Sequence, residues 1–213
     1  FYTSEELNKW WTDSKNQRWV IYTDSSFKDK KKIEKFPNIK KHLDQFEKVI
    51  TSDNKPYGLH RARDEKFFKG EKIIAVRKCA RPSFSYVDFD SYVSATFYII
   101  KTNRINQKYL TALLNSRLIE FWLRHKGKMQ GTNFQIDKEP LVNLPLVKPD
   151  QGAQKKLANI VDKILAITKD DDYLENPAKQ AKVREYEKQI DQLVYKLYGL
   201  TAEEIKIVEE SQS

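Results

Sequence analysis

Apolar residues recur at helical spacing through much of this chain. In residues 38–50, NIKKHLDQFEKVI, Ile39, Leu43, Phe46 and Ile50 line one face behind Pro37, which predicts a helix. A second helix is expected over about 107–125, with Leu110, Leu113, Leu114, Leu118, Phe121 and Trp122 as its apolar face. Residues 151–168 align Leu157, Ile160, Val161, Ile164 and Leu165, and residues 178–198 align Val183, Tyr186, Ile190, Leu193, Val194 and Leu197. The acidic turn Asp170-Asp171-Asp172 and Asn176-Pro177 lie between those two, so they read as an antiparallel helical hairpin. Gly199 is placed to cap its second helix. Thr201-Ala-Glu-Glu204 has the pattern of a capping box that starts a last short helix.

Strand signals occupy the first half. Trp19–Thr23 is β-branched and aromatic, and Lys72–Arg77, Ser83–Phe89 and Val93–Lys101 form three neighbouring strand-like runs. Arg81-Pro82 and Asp88–Ser91 supply the breaks between them. A short extended run is expected around Asn143-Leu144-Pro145-Leu146-Val147. The predicted fold is α+β: a small mixed or antiparallel β-rich domain with packed helices over residues 1–149, then a C-terminal antiparallel helical hairpin over 150–213.

Charge divides the chain in the same place. The net charge is +9. Residues 151–213 hold 10 Lys and Arg against 12 Asp and Glu, a net of −2, so residues 1–150 carry +11. A positive field confined to one part points to a polyanionic partner, although lysines also serve solubility alone. Cys79 is the single cysteine, which rules out an internal disulfide and suggests a reducing, cytoplasmic setting. No apolar run approaches the length of a membrane span. The chain begins at Phe1 rather than Met, so it is read as a fragment of a larger protein.

Known catalytic patterns are missing. His42, His60 and His125 lack zinc spacing, and one cysteine supplies no thiolate cluster. No GxGxxG, GxxxxGK[ST] or GxSxG occurs. The Asn/Asp-Pro-Pro-aromatic motif of N6-adenine methylation is absent, since the only Asn-Pro, Asn176-Pro177, continues as Ala-Lys. Glu204-Ile-Lys206 matches a nuclease-like E-x-K triplet, but it falls in the terminal helix and is expected by chance at this composition.

Binding chemistry is better represented. Phosphates are held by Lys, Arg and backbone N–H groups, while base edges are read by forked or planar polar groups. Three segments supply both kinds. The first contains Arg61 and Arg63, and the second contains Arg77, Lys78, Arg81 and Ser83. The third is a cationic, amide-rich loop with Lys126, Lys128, Gln130, Thr132, Asn133 and Gln135. Arg61 and Arg63 suit phosphate contact or ion pairs with Asp64 or Glu65. Phe67, Phe68, Phe84, Tyr86, Phe97 and Tyr98 are able to stack on bases, but their alternation within strands favours a core role.

The order of motifs resembles a known family. Trp19-Val-Ile-Tyr-Thr23, Phe36-Pro-Asn-Ile-Lys-Lys-His-Leu43, Tyr57-Gly-Leu-His-Arg-Ala-Arg63, Lys72-Ile-Ile-Ala-Val-Arg-Lys78 and Phe84-Ser-Tyr86 precede Leu113-Leu-Asn-Ser116, Gly131-Thr132 and Leu144-Pro-Leu146. This series is similar to the TaqI-like C-terminal specificity domain, the target recognition domain of Type IIG restriction–modification enzymes. The stretch from Leu113-Leu-Asn-Ser116 through Leu144-Pro145 to Gln154 also resembles target recognition domains of Type I specificity subunits. The resemblance implies a cytoplasmic, bacterial or archaeal fragment that reads double-stranded DNA and performs no catalysis itself. It implies no cofactor in this chain, with S-adenosylmethionine and Mg belonging to methyltransferase and nuclease domains of the same parent polypeptide. The alternative is a protein-interaction module whose helical hairpin docks on a methyltransferase or another partner.

Overall fold

The structure is a computed structural model that describes residues 1–15, 18–130, 133–147 and 149–211. Two short helices, α1 (Lys30–Ile33) and α2 (Pro37–Asp44), come first. Strands β1 (Lys72–Val76), β2 (Lys78–Cys79), β3 (Phe84–Val87) and β4 (Phe97–Ile100) follow. Helices α3 (Gln107–Leu114) and α4 (Arg117–Lys126) lead to strands β5 (Lys128–Gln130) and β6 (Asn133–Gln135). The chain ends in α5 (Lys138–Val142), α6 (Gln151–Thr168), α7 (Pro177–Tyr198) and α8 (Ala202–Glu210).

Among the described residues there are two three-stranded sheets, both antiparallel, which makes the fold α+β as expected. The larger has the order β3-β1-β4, with Ile73 opposite Tyr86 on one side and Ile100 on the other. Its central strand is apolar on both faces because both faces are covered. Ile73 and Ala75 pack with Leu110, Leu114, Ile119 and Leu123 of the helices. Ile74 points the other way, into a cluster with Tyr2, Phe68, Val87, Val93 and Phe97. Lys72 starts the strand fully buried, and its Nζ donates to the carbonyls of Gly70 at 2.7 Å and Phe89 at 2.6 Å. Burial pulls the pKa of that ammonium down to about 8.

Helix α3 lies between the sheet and the helical hairpin, which explains why nearly every residue in it is buried. Leu110 and Leu114 serve the sheet side, while Tyr109, Ala112 and Leu113 join Leu157, Val161, Ile164, Val183, Ile190 and Val194 of α6 and α7. The hairpin's inner face is therefore part of a core shared with α3, Tyr86 and Trp10. Gly199 ends α7 in the left-handed conformation, φ 67°, and Thr201 with Glu204 forms the capping box of α8. No helix among the described residues is long and apolar enough to cross a membrane.

Four expected elements form differently. The helix expected over 38–50 ends at Asp44, and residues 45–49 continue as turns. The 19–23 segment is not a strand. Thr23 Oγ1 donates to the Tyr57 carbonyl at 2.5 Å, Tyr22 donates to the Arg63 carbonyl, and Trp19 is 90% exposed. High strand propensity there meets side-chain anchors instead of a ladder partner. The single helix expected over 107–125 is two helices. Ser116 leaves the helical conformation, and its Oγ accepts from the Ile119 N–H, so α4 starts on a new cap. The run 143–147 is no strand either. It follows α5, and Leu141 and Leu144 pack onto the sheet-side core.

Asp191 on α7 joins the hairpin to α4. Its Oδ1 accepts the Arg117 N–H at 2.8 Å, at the N-terminus of α4. Burial pushes its pKa up from 3.8 to about 6, with the Arg117 hydrogen bond pulling the other way. The folded chain thus holds this proton to higher pH than the unfolded chain does. The associated stability is full below the ordinary carboxylate range and is lost as pH rises through about 6. Asp191→Asn keeps the acceptor without the charge. It is expected to stabilise the chain at pH 7, by at most about 3 kcal/mol. Denaturant unfolding at several pH values checks this, and the variant's curve is expected to be flatter between about pH 4 and pH 6.

Candidate nucleic-acid interface

The smaller sheet, in the order β2-β6-β5, joins segments that are far apart in sequence. Lys78 of β2 pairs with Gln135 of β6, and Gln135 pairs with Lys128 of β5. Directly opposed residues in an antiparallel sheet share a face, so Lys78, Gln135 and Lys128 form one cross-strand row. Asn133, two residues from Gln135, shares that face, and Gln130 is its register partner. Within the expected cationic loop over 126–135, β5 and β6 pair antiparallel, and β6 also pairs with β2. Cys79 sits on the opposite face and packs against the sheet-side core. Burial pushes its thiol up to about 11, so it stays protonated at neutral pH.

The exposed row is open to a polyanion. Lys78 forms no ion pair among the described residues and is exposed. The Lys128 side chain is 80% exposed, with its Nζ 4.0 Å from an Asp137 oxygen. Gln135 Nε2 donates to Asp137 at 2.7 Å, which leaves its amide oxygen as an acceptor. Lys126 ends α4 with its ammonium 5.6 Å from the Trp122 ring centroid. Asn133 is exposed.

A groove of about 310 Å³ runs beside this row. Arg77, Lys78 and Gln135 line it with Ser4, Val76, Thr96 and Phe97. Arg77 leaves β1 with its N–H on the Thr96 carbonyl and its guanidinium 5.2 Å from the Tyr98 ring centroid. Ser4 and Thr96 were not among the sequence candidates. The β1–β4 register brings Thr96 to Arg77, and no local pattern announces it.

Other sequence candidates lie elsewhere or have structural partners. Arg81 forms a two-pronged ion pair with Glu120, at 2.9 and 2.7 Å, and Glu120 also accepts from Arg124. The Glu120 side chain is only 7% exposed, so these guanidinium groups neutralise a carboxylate on the core side of α4. Arg81→Ala is expected to destabilise the chain by about 1–3 kcal/mol and to leave the salt dependence of any DNA binding unchanged. Thermal melts and salt titrations separate the two effects. Arg63 donates through Nη2 to the Phe97 carbonyl at 2.9 Å, and Asp64 caps the following turn and pairs with Lys66. Arg61 is exposed, with a left-handed backbone, φ 51°. Ser83 lies half-buried just before β3. Thr132, and the Gly131-Thr132 pair of the resemblance, lie outside the described residues.

The Leu-Asn-Ser motif has a scaffold role. Asn115 accepts the Phe84 N–H at 3.0 Å and returns its own amide N–H to the Phe84 carbonyl at 2.7 Å. It therefore closes the outer edge of β3, beside Trp10, whose backbone also pairs with Phe84 and Tyr86. Leu114 fills the core and Ser116 caps α4. Among the described residues, no group of three or more His, Cys, Asp or Glu is placed to hold a metal ion.

The family comparison places this α+β chain among the specificity domains of restriction–modification systems. The chain belongs to the TaqI-like C-terminal specificity domain family, whose model matches residues 5–146. It is also similar to the Type II methyltransferase M.HincII of Haemophilus influenzae, with 26% identity over 115 residues. That match covers 47% of this chain and 23% of the relative. The Type II methyltransferase M.HindII of Haemophilus influenzae strain KW20 / Rd is likewise 26% identical over 115 residues, covering 22% of its length. The matched part is thus less than a quarter of either methyltransferase, and the family assignment is to a specificity domain rather than a catalytic one.

Proposed function

We propose that the chain recognises double-stranded DNA sequence-specifically and directs a separate methyltransferase region to its site. The observation that carries this reading is the single face of the smaller sheet bearing Lys78, Gln135, Lys128 and Asn133. Ammonium groups on that face suit phosphates, and amides suit base edges in the major groove. Lys126 and Gln130 adjoin this face and join the proposed contacts, as does Thr132, which lies outside the described residues. Arg77 and Ser83 flank it, Arg81 supports it through Glu120, Arg63 lies behind Arg77 on the neighbouring Phe97 carbonyl, and Arg61 is a separate exposed cation.

The proposed parent is a Type IIG enzyme, cytoplasmic and bacterial or archaeal, whose other domains bind S-adenosylmethionine and Mg. Residues 1–149 then act as the recognition part and residues 150–213 as the helical support behind it. The shared core of α3, α6 and α7 supports a hairpin that braces the recognition part.

Titration of a labelled duplex between about 50 and 200 mM salt tests the binding step. Each phosphate contact is expected to add about −0.9 to the slope of log affinity against log salt. A flat response, or no binding to any duplex at low salt, counts against the proposal.

A further inference from the structure

Two arginines from distant segments are held together without a counter-ion. Arg63 donates to the Phe97 carbonyl, and Arg77 donates its backbone N–H to the adjacent Thr96 carbonyl. Neither forms an ion pair among the described residues. Arg63 Nη1 and Arg77 Nε are both buried with no hydrogen-bond partner among the described residues. The Arg63 pKa is lowered first by burial and further by the Arg77 charge, with Tyr22 opposing. An orphaned buried donor is costly, and two like charges add repulsion. Such an arrangement is relieved by an anion.

The groove beside Arg77 has the chemistry to receive one. Lys78 adds an ammonium, and Ser4 and Thr96 add hydroxyl groups. The guanidinium lies over the Tyr98 ring, 5.2 Å from its centroid. Among the residues lining the groove there is no carboxylate to compete. We infer that this groove seats one backbone phosphate of the DNA, with Arg77 as the clamp and Arg63 supplying positive potential from behind. The inference rests on the DNA-binding reading and deepens it. It divides the surface into a sequence-blind phosphate seat at Arg77 and a base-reading row on β5 and β6.

The test compares the full chain with Arg77→Met, which keeps a stem against Tyr98 and removes the fork. Two unrelated duplexes, one A·T-rich and one G·C-rich, are titrated across salt. The seat predicts that the variant binds both duplexes more weakly by the same factor and loses about 0.9 from the salt slope. Weakening on one duplex only makes Arg77 a base reader and overturns the inference while DNA binding stands. An unchanged slope with unchanged affinities also overturns it. The second arm follows the Arg77 Nε–H resonance of the unmodified chain as inorganic phosphate is added. A saturable shift supports the seat even if the variant fails to fold. No shift overturns it. If the unmodified chain binds neither duplex, the DNA reading fails, and the phosphate titration alone decides whether the groove is an anion site.

Discussion

Replacing Asn115 by alanine is expected to destabilise the chain by about 2–3 kcal/mol. Both polar groups of its amide are committed to Phe84, one to the N–H and one to the carbonyl. Trp10 also donates to that carbonyl, at 3.2 Å, so the carbonyl keeps a partner in the variant. The Phe84 N–H has none to replace Asn115 and is left buried and unpaired, with a small void beside it. Asn115→Asp is expected to be no better, because it keeps an acceptor, loses the donor and buries a charge. Denaturant unfolding reads the loss directly. A variant that keeps its stability but changes DNA preference would make the Leu-Asn-Ser segment a recognition element instead of a scaffold.

Removing both ammonium groups of the cross-strand row, Lys78→Ala with Lys128→Ala, is expected to have the largest effect on DNA binding. Two lost phosphate contacts reduce the salt slope by about 1.8, which corresponds to roughly 60-fold in affinity near 0.1 M salt. Both side chains are exposed, and only Lys128 approaches a carboxylate, at 4.0 Å. Stability is therefore expected to change by less than about 0.5 kcal/mol. Binding isotherms at three or more salt concentrations, together with a melting curve, check both halves. An unchanged slope in a folded double variant removes the smaller sheet from the DNA surface.

The hairpin helices were legible in the sequence because their apolar stripes are long and their ends carry strong caps. The 151–168 range coincides with α6, and Gly199 and the Thr201–Glu204 box end and restart the helices where expected. The strands of the larger sheet were also legible, since β1, β3 and β4 are runs of β-branched and aromatic residues bounded by turns. The smaller sheet was not. Its strands have two or three residues, too few for a period, and its defining pair joins positions 78 and 135. Residue types suited to DNA were therefore visible one segment at a time, while their gathering onto one face was not. The same limit hid the role of Arg81. A basic residue in a Pro-containing turn has no local sign that Glu120, on a later helix, will occupy it. Trp19–Thr23 erred the other way, with strand propensity and no strand to pair with.

Selection from a randomised duplex pool decides whether the chain reads duplex DNA sequence-specifically. The chain is incubated with the pool at low salt, and the retained duplexes are sequenced after successive rounds. One short motif is expected to be enriched, and Asn133→Ala with Gln135→Ala is expected to lower the enrichment while the salt slope persists. A retained pool with the composition of the input, or no retained DNA at all, would contradict sequence-specific reading.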